Sequence, residues 1–209
     1  EFAFAYVPGE FGSEIGGDFY DVFETENGST GILIGDVAGK GIETAAYAAS
    51  ARSTIRAFAY DMDSPARALT HSNTVIGKEQ VESGRFATAL LVVLNQDTGV
   101  ITYANAGHPP PLRCGSHGEL EILREHDTPL GILQSSIVSE GSSVLGAGDM
   151  LVIFTDGLTE ARHDGEMFWP QGLYSIVRDH ALGSPQEMTD SLLAAAAAWA
   201  RESVRDDTT

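Results

Sequence analysis

The sequence predicts an α+β fold in which helices cover antiparallel β-sheets, within a single domain spanning residues 1–209. Three observations lead to this class. Seven runs of strand length, continuous or alternating in hydrophobicity, are joined by short turns. Four longer segments carry helical signals. The two kinds of segment do not alternate as a strict βαβ repeat would require.

The strand candidates are residues 2–7, 31–34, 87–94, 100–105, 119–123, 137–144 and 150–155. "NQDTG" at 95–99 reads as a hairpin loop and "LGAGD" at 145–149 as another tight reversal, so antiparallel pairing is expected. The helix candidates are residues 42–60, 65–75, 171–180 and 185–202. Before the last, Ser184 can cap, Pro185 suits the first turn and Glu187 completes a capping box. "AAYAASA" and "LLAAAAAWA" are Ala-rich, which favours helix and close packing over any cofactor role. There is no internal repeat, low-complexity linker or second domain in the pattern.

Composition narrows the function. With 209 residues and 43% hydrophobic content, the chain can bury a sizeable core. A formal net charge of -18 would repel nucleic acid and anionic membrane surfaces, so neither is expected as a partner. The single cysteine, Cys114, has no internal disulfide partner, which fits the reducing cytoplasm. The opening "EFAFAYVPGEF" has neither an initiator Met nor a signal peptide and reads as a domain cut from something longer. No apolar run approaches the roughly 18 residues that a membrane span needs.

Acidic residues interrupt apolar contexts at four places. "LVIFTDGLTEAR" sets Asp156 and Gly157 directly after an apolar run. "EIGGDFYDVF" carries Asp18 behind two glycines and Asp21 three positions later. "GILIGDVAGKGIETA" ends a strand on Asp36 and passes through a glycine-rich turn into a helix, and "RDDTT" places Asp206 and Asp207 after the final helix. Each alone reads as a cap or turn, because Asp bonds its own backbone and Gly accepts positive φ. Together they suit Mg²⁺ or Mn²⁺, which prefer carboxylate, carbonyl and water oxygens. The absence of a dense His/Cys pattern argues against structural zinc. Two cations roughly 3.5 to 4 Å apart would lower the pKa of a shared water and neutralise a phosphate under attack. Hydrolysis of an inert phosphate monoester calls for such a site.

Other motifs fail. "GDVAGKG" has three residues rather than four before its Gly-Lys and lacks the following Ser or Thr of a Walker A loop. No Gly-x-Ser-x-Gly elbow occurs. His108, in "NAGHPPPL", is expected to fix a loop by hydrogen bonding rather than to bind a ligand. Lys40, Arg52 and Arg56 are candidates for binding an acidic phosphoprotein, with a solvated helix face as the equal alternative.

Taken in order, "GGDFYDVF", "GDVAGKG", "NAGHPPPL", "FTDGLTEAR" and "DDTT" resemble the SpoIIE/RsbU branch of the metal-dependent (2C-type, PPM) serine/threonine protein phosphatases. The resemblance covers nearly the whole chain. It implies a four-layer α-β-β-α sandwich with two central antiparallel β-sheets and two Mn²⁺ or Mg²⁺ ions at one edge. By motif, Asp36 would bridge both ions and the Val37 carbonyl would complete part of the first site. Asp156 and Asp206 would join Asp36 at the second ion, Asp206 being favoured over its neighbour Asp207. Asp18 would stand at the first ion, directly or through water. These four aspartates are the expected catalytic residues, acting through water that attacks phosphoserine or phosphothreonine without a phosphoenzyme.

The resemblance also implies a substrate, a phosphorylated STAS-type anti-anti-sigma protein whose dephosphorylation releases a sigma factor. An upstream sensory domain and pairing into a homodimer are compatible with it. Two features differ from relatives: Ala38 stands where many eukaryotic members place a His, and the family continues with an apolar strand after its Asp-Asp-x-Thr motif. The alternative function is a catalytically inactive module of this fold that binds a phosphoprotein or transmits a signal. A third reading has the metal site assembled only when a regulatory domain or partner moves the helices at 42–75.

Overall fold

The computed structural model describes residues 1–7, 16–79, 84–133, 135–159, 162–163, 166–168, 171–199 and 208–209. In chain order the elements are β1 (Phe19–Glu24), β2 (Thr30–Val37), α1 (Ile42–Asp61), α2 (Pro65–Glu79), β3 (Ala87–Leu94), β4 (Val100–Ala106), β5 (Leu112–Cys114), β6 (Leu120–Ile122), β7 (Gly141–Val144), β8 (Met150–Val152), α3 (Asp156–Thr159), β9 (Arg162–His163), β10 (Glu166–Met167), α4 (Gln171–Asp179) and α5 (Pro185–Trp199). They divide between two compact units, a larger one of Glu14–Pro110 with Leu123–Val144 and a smaller one of Glu1–Ser13, Pro111–Ile122 and Leu145–Thr209. The α+β class with two antiparallel sheets is as expected.

The larger unit is built on a five-stranded antiparallel sheet in the order β1-β2-β3-β4-β7. Its centre is β3, "ATALLVVL", whose Ala89, Leu90, Leu91 and Val92 are fully buried, as a continuous apolar run of this length predicts. Strand β1 was not recognised in the sequence. Its aromatic rings need glycines opposite: Phe19 faces Gly35 and Phe23 faces Gly31, and a Cβ on either glycine would stand 2.4 to 2.5 Å from a ring carbon. Helix α1 buries Thr44, Tyr47, Ala48, Ala51, Ile55 and Ala59, an i, i+3/i+4 stripe in which small residues allow close packing. At the start of α2, Glu140 accepts hydrogen bonds from the Ser64 hydroxyl (2.6 Å) and the Ala66 amide (3.3 Å), satisfying helix-end donors.

The β3–β4 hairpin closes as expected. The Asn95 side chain accepts from the amides of Asp97 (3.1 Å) and Thr98 (3.0 Å). The expected strand at 137–144 shortens to β7, because the Val138 amide donates to the Thr70 hydroxyl and the Ser139 amide to Asp127, leaving no ladder there.

The smaller unit carries a three-stranded sheet, β6-β5-β8, and a core in which Leu112, Cys114, Val152 and Phe154 meet Leu173, Val177, Met188 and Leu192 of α4 and α5. The capping box forms: the Glu187 amide donates to Ser184 Oγ (3.2 Å) and the Ser184 amide to Glu187 Oε2 (2.7 Å). Bonds from the Ser184 amide and hydroxyl hold the Glu187 carboxyl below its ordinary range. The reversal at 145–149 is fixed by Asp149, which accepts from the amides of Gly146 (2.9 Å) and Ser116 (3.0 Å) and from Arg113 Nη2 (2.6 Å). Burial pushes the Asp149 pKa up, and those three donors outweigh it and hold it below 3.8. The Cys114 thiol is buried and pushed up, which makes it inert.

Three expectations are corrected in this unit. Residues 2–7 form no strand beyond a bridge from Val7 to Thr208; Phe2 and Phe4 point into solvent. The candidate at 119–123 contracts to β6, and the candidate at 150–155 ends at Val152. Among the described residues no helix is long and apolar enough to cross a membrane.

Candidate active site

Asp36 is the penultimate residue of β2, paired with β3 on one side and steadied on the other by a bond from the next residue. On one side it faces Thr88 of β3; on the other, the Val37 amide donates to the Gly17 carbonyl (3.2 Å), extending the β1 register past Phe19. Beyond Val37 the chain turns through Gly39 (φ 117) and Gly41 (φ 101) into α1, a left-handed path open to glycine and strained for other residues. Val37 itself is buried and anchors the tip of the strand in the core.

Gly17 is the other half of this arrangement. A Cβ at position 17 would lie 2.3 Å from the Val37 carbonyl oxygen and 2.7 Å from Asp36 Oδ1. The glycine therefore lets two oxygens, one carbonyl and one carboxylate, approach the backbone of the residue that precedes Asp18. The larger unit thus sets the Val37 carbonyl and the Asp36 carboxylate against Gly17, the residue before Asp18 in the chain.

Asp21, the second acid of "GGDFYDVF", serves another purpose. Arg56 Nη1 donates to both of its oxygens (3.0 and 3.2 Å), and the guanidinium also stands 5.2 Å from the Phe23 ring centroid. Arg56, a candidate for binding substrate, is committed to this pair.

His108 follows β4 on a turn held by Asn105. The His108 amide donates to Asn105 Oδ1 (2.8 Å) and Asn105 Nδ2 donates to the His108 carbonyl (2.9 Å). Both side chains are buried, and His108 Nδ1 lies 3.0 Å from Thr88 Oγ1. The turn is fixed through the His108 backbone by Asn105, and the imidazole, expected to fix the loop, instead links to β3.

In the smaller unit, Asp156 does not end a strand. Strand β8 stops at Val152, the buried Phe154 and Thr155 follow, and Asp156 opens the single turn α3. The Leu158 amide closes that turn onto the Thr155 carbonyl (3.2 Å) and Thr159 Oγ1 donates to the Asp156 carbonyl (3.0 Å). Thr155 also exchanges bonds with Thr209: its amide donates to the Thr209 carbonyl, and the Thr209 amide donates to its hydroxyl, each at 3.0 Å. The "FTDGLTEAR" and "DDTT" motifs therefore meet within one unit. Asp206 and Asp207 lie outside the described residues.

Among the described residues no group of three or more His, Cys, Asp or Glu side chains could hold a metal ion. The oxygens gathered at Gly17 include a backbone carbonyl, a donor that hard cations accept. The residues missed in the sequence are Thr88 and Asn105, and Thr88 shows there only as a polar residue in an apolar strand, whereas the glycines before Asp18 were legible as a place for close backbone approach.

The Stage II sporulation protein E (SpoIIE) family model matches residues 26–209. Phosphoserine phosphatase RsbU of Bacillus subtilis (strain 168) is 33% identical over 192 residues, covering 86% of this chain and 55% of RsbU. The chain thus spans about half the length of that relative. Among solved structures, the RsbU and RsbW domains of Rv1364c from Mycobacterium tuberculosis align with a TM-score of 0.82 at 25% identity, over 97% of this chain and 56% of that one. The SiaA-PP2C domain of Pseudomonas aeruginosa aligns at 0.81 and 22% identity, over 93% and 78% of the two chains. With its motifs in order, its fold shared and the family model matched almost from end to end, the chain belongs to the SpoIIE family.

Proposed function

We propose that this chain is the catalytic domain of a metal-dependent protein serine/threonine phosphatase. The observation that carries the reading is the close approach at Gly17, which leaves the Val37 carbonyl and Asp36 Oδ1 side by side next to Asp18. This donor set is oxygen throughout and fits Mg²⁺ or Mn²⁺ better than a softer ion. Asp18, Asp36 and the Val37 carbonyl would hold one ion, and Asp36, Asp156 and Asp206 a second. RsbX, a neighbour of the same fold (TM-score 0.69, 17% identity), has been solved in complex with magnesium.

When bound, such a pair of cations supplies charge neutralisation for a phosphate ester and lowers the pKa of a nearby water. The chain's own residues fix the positions. Asp36 is held by its pairing with Thr88 of β3, and no side chain at position 17 crowds its carboxylate. Ala38 has no proton to give to the leaving alcohol, a role that water can fill. The substrate class is a phosphorylated STAS-type anti-anti-sigma protein in the cytoplasm, in line with the similarity to RsbU.

Release of p-nitrophenol from its phosphate ester, measured with Mn²⁺, with Mg²⁺ and with chelator, tests this directly. Metal-dependent release is expected. Binding of a phosphorylated STAS protein with no release of phosphate under any metal condition would favour the inactive binding module instead.

A further inference from the structure

We propose that Thr88 and His108 form a positioning pair that sets Asp36, an inference that rests on the metal reading above. The turn bearing His108 needs no help from the imidazole, because the Asn105 side chain already grips the His108 amide (2.8 Å) and carbonyl (2.9 Å). The buried ring is directed elsewhere: Nδ1 lies 3.0 Å from Thr88 Oγ1. Thr88 is the register partner of Asp36, and its hydroxyl accepts from the Asp36 amide at 3.3 Å.

The hydroxyl has one proton to place. Its contact with the Asp36 carbonyl is 3.5 Å, at the limit of a hydrogen bond, and its contact with Nδ1 is much shorter. The proton therefore goes to Nδ1, and the ring carries its own proton on Nε2. A chain of bonds results, from the Asp36 amide to the Thr88 hydroxyl to the imidazole, tying the ends of β2 and β3 and the turn after β4 into one block. Asp36 needs such a tie because the chain leaves the sheet just beyond it, at Gly39. A carboxylate shared by two cations tolerates only about 0.5 Å of displacement. Thr88 and His108 act through the Asp36 backbone and touch neither substrate nor metal.

The test uses the whole chain in two measurements. In the first, long-range ¹H–¹⁵N spectra of the metal-free protein report the His108 ring: a single tautomer protonated at Nε2 is expected in the unaltered chain and in Thr88→Ser, and mixed tautomers in Thr88→Val. In the second, titration calorimetry reads Mn²⁺ affinity: Thr88→Val should bind about 10-fold more weakly, the low end for an outer-shell partner, and Thr88→Ser should recover the unaltered value. A ring spectrum indifferent to Thr88→Val overturns the bond itself. A ring that responds while Mn²⁺ binds Thr88→Val as tightly as the unaltered chain overturns the positioning role. An unaltered chain that binds no Mn²⁺ removes the metal reading, and with it the role of the pair, whereas its ring spectrum still reports the bond.

Discussion

Asp36 and Asp156 follow apolar runs that look alike in sequence, yet the protein holds them by different means. Asp36 lies within an eight-residue strand with a neighbour on each side and inherits its position from its pairing with β3 and from the Val37 to Gly17 bond just past the β1 ladder. Asp156 lies past the end of a three-residue strand and is fixed by a single helical turn whose first contacts run to the preceding Thr155 and, through it, to Thr209. The first arrangement is supported by pairings made across the sheet, the second by bonds among a few residues at one place. An apolar run ending in Asp thus marks a carboxylate worth holding without saying how it is held.

Replacing either carboxylate gives the largest expected effect. Asp36→Asn and Asp156→Asn should each lower p-nitrophenyl phosphate turnover by about 100-fold or more, with circular dichroism unchanged. Equal loss at both positions would show that both carboxylates are needed for turnover; loss at only one would break the comparison.

Gly17→Ala sharpens the contrast from the sheet side. Its methyl group would lie 2.3 Å from the Val37 carbonyl oxygen, so β1 and β2 must shift. Urea unfolding should show a cost of about 1–3 kcal/mol, as for other overpacked sites, together with weakened Mn²⁺ binding. An unchanged affinity would mean that Asp36 tolerates displacement of its neighbouring strand.

In the smaller unit, Asp149→Asn should destabilise in a pH-dependent way. The folded pKa of Asp149 lies below its ordinary 3.8, so its stabilising contribution is present above that value and is lost as pH falls through the folded pKa. The gap between wild type and variant should therefore be widest near neutral pH and close in acid, as read by unfolding at a series of pH values. The smallest effect is expected from Ser184→Ala, which removes the cap of α5 and should lower the unfolding midpoint by about 2–4 °C in a thermal scan.

What could be read in the sequence was local. The α5 capping box occupies four consecutive residues, and the 95–99 hairpin loop is closed by Asn95 bonding to amides two and three positions on. Strand β1 escaped because it lies at the sheet edge, where Asp21 turns to Arg56 of α1, 35 residues away, instead of to solvent. The tie from His108 through Thr88 to Asp36 spans separations of 20 and 52 residues, and no pattern within a short window signals it. The acids themselves were legible because a carboxylate beside glycine at the end of an apolar run conflicts with simple burial. Their mutual placement depends on tertiary structure.

The central claim is that Asp36 Oδ1 and the Val37 carbonyl, drawn together at Gly17, hold a divalent cation. Electron paramagnetic resonance of the chain titrated with Mn²⁺ tests it most directly. The expected result is Mn²⁺ bound to the unaltered chain and lost in Asp36→Asn. No bound Mn²⁺ in the unaltered chain, or bound Mn²⁺ that survives Asp36→Asn, would contradict it.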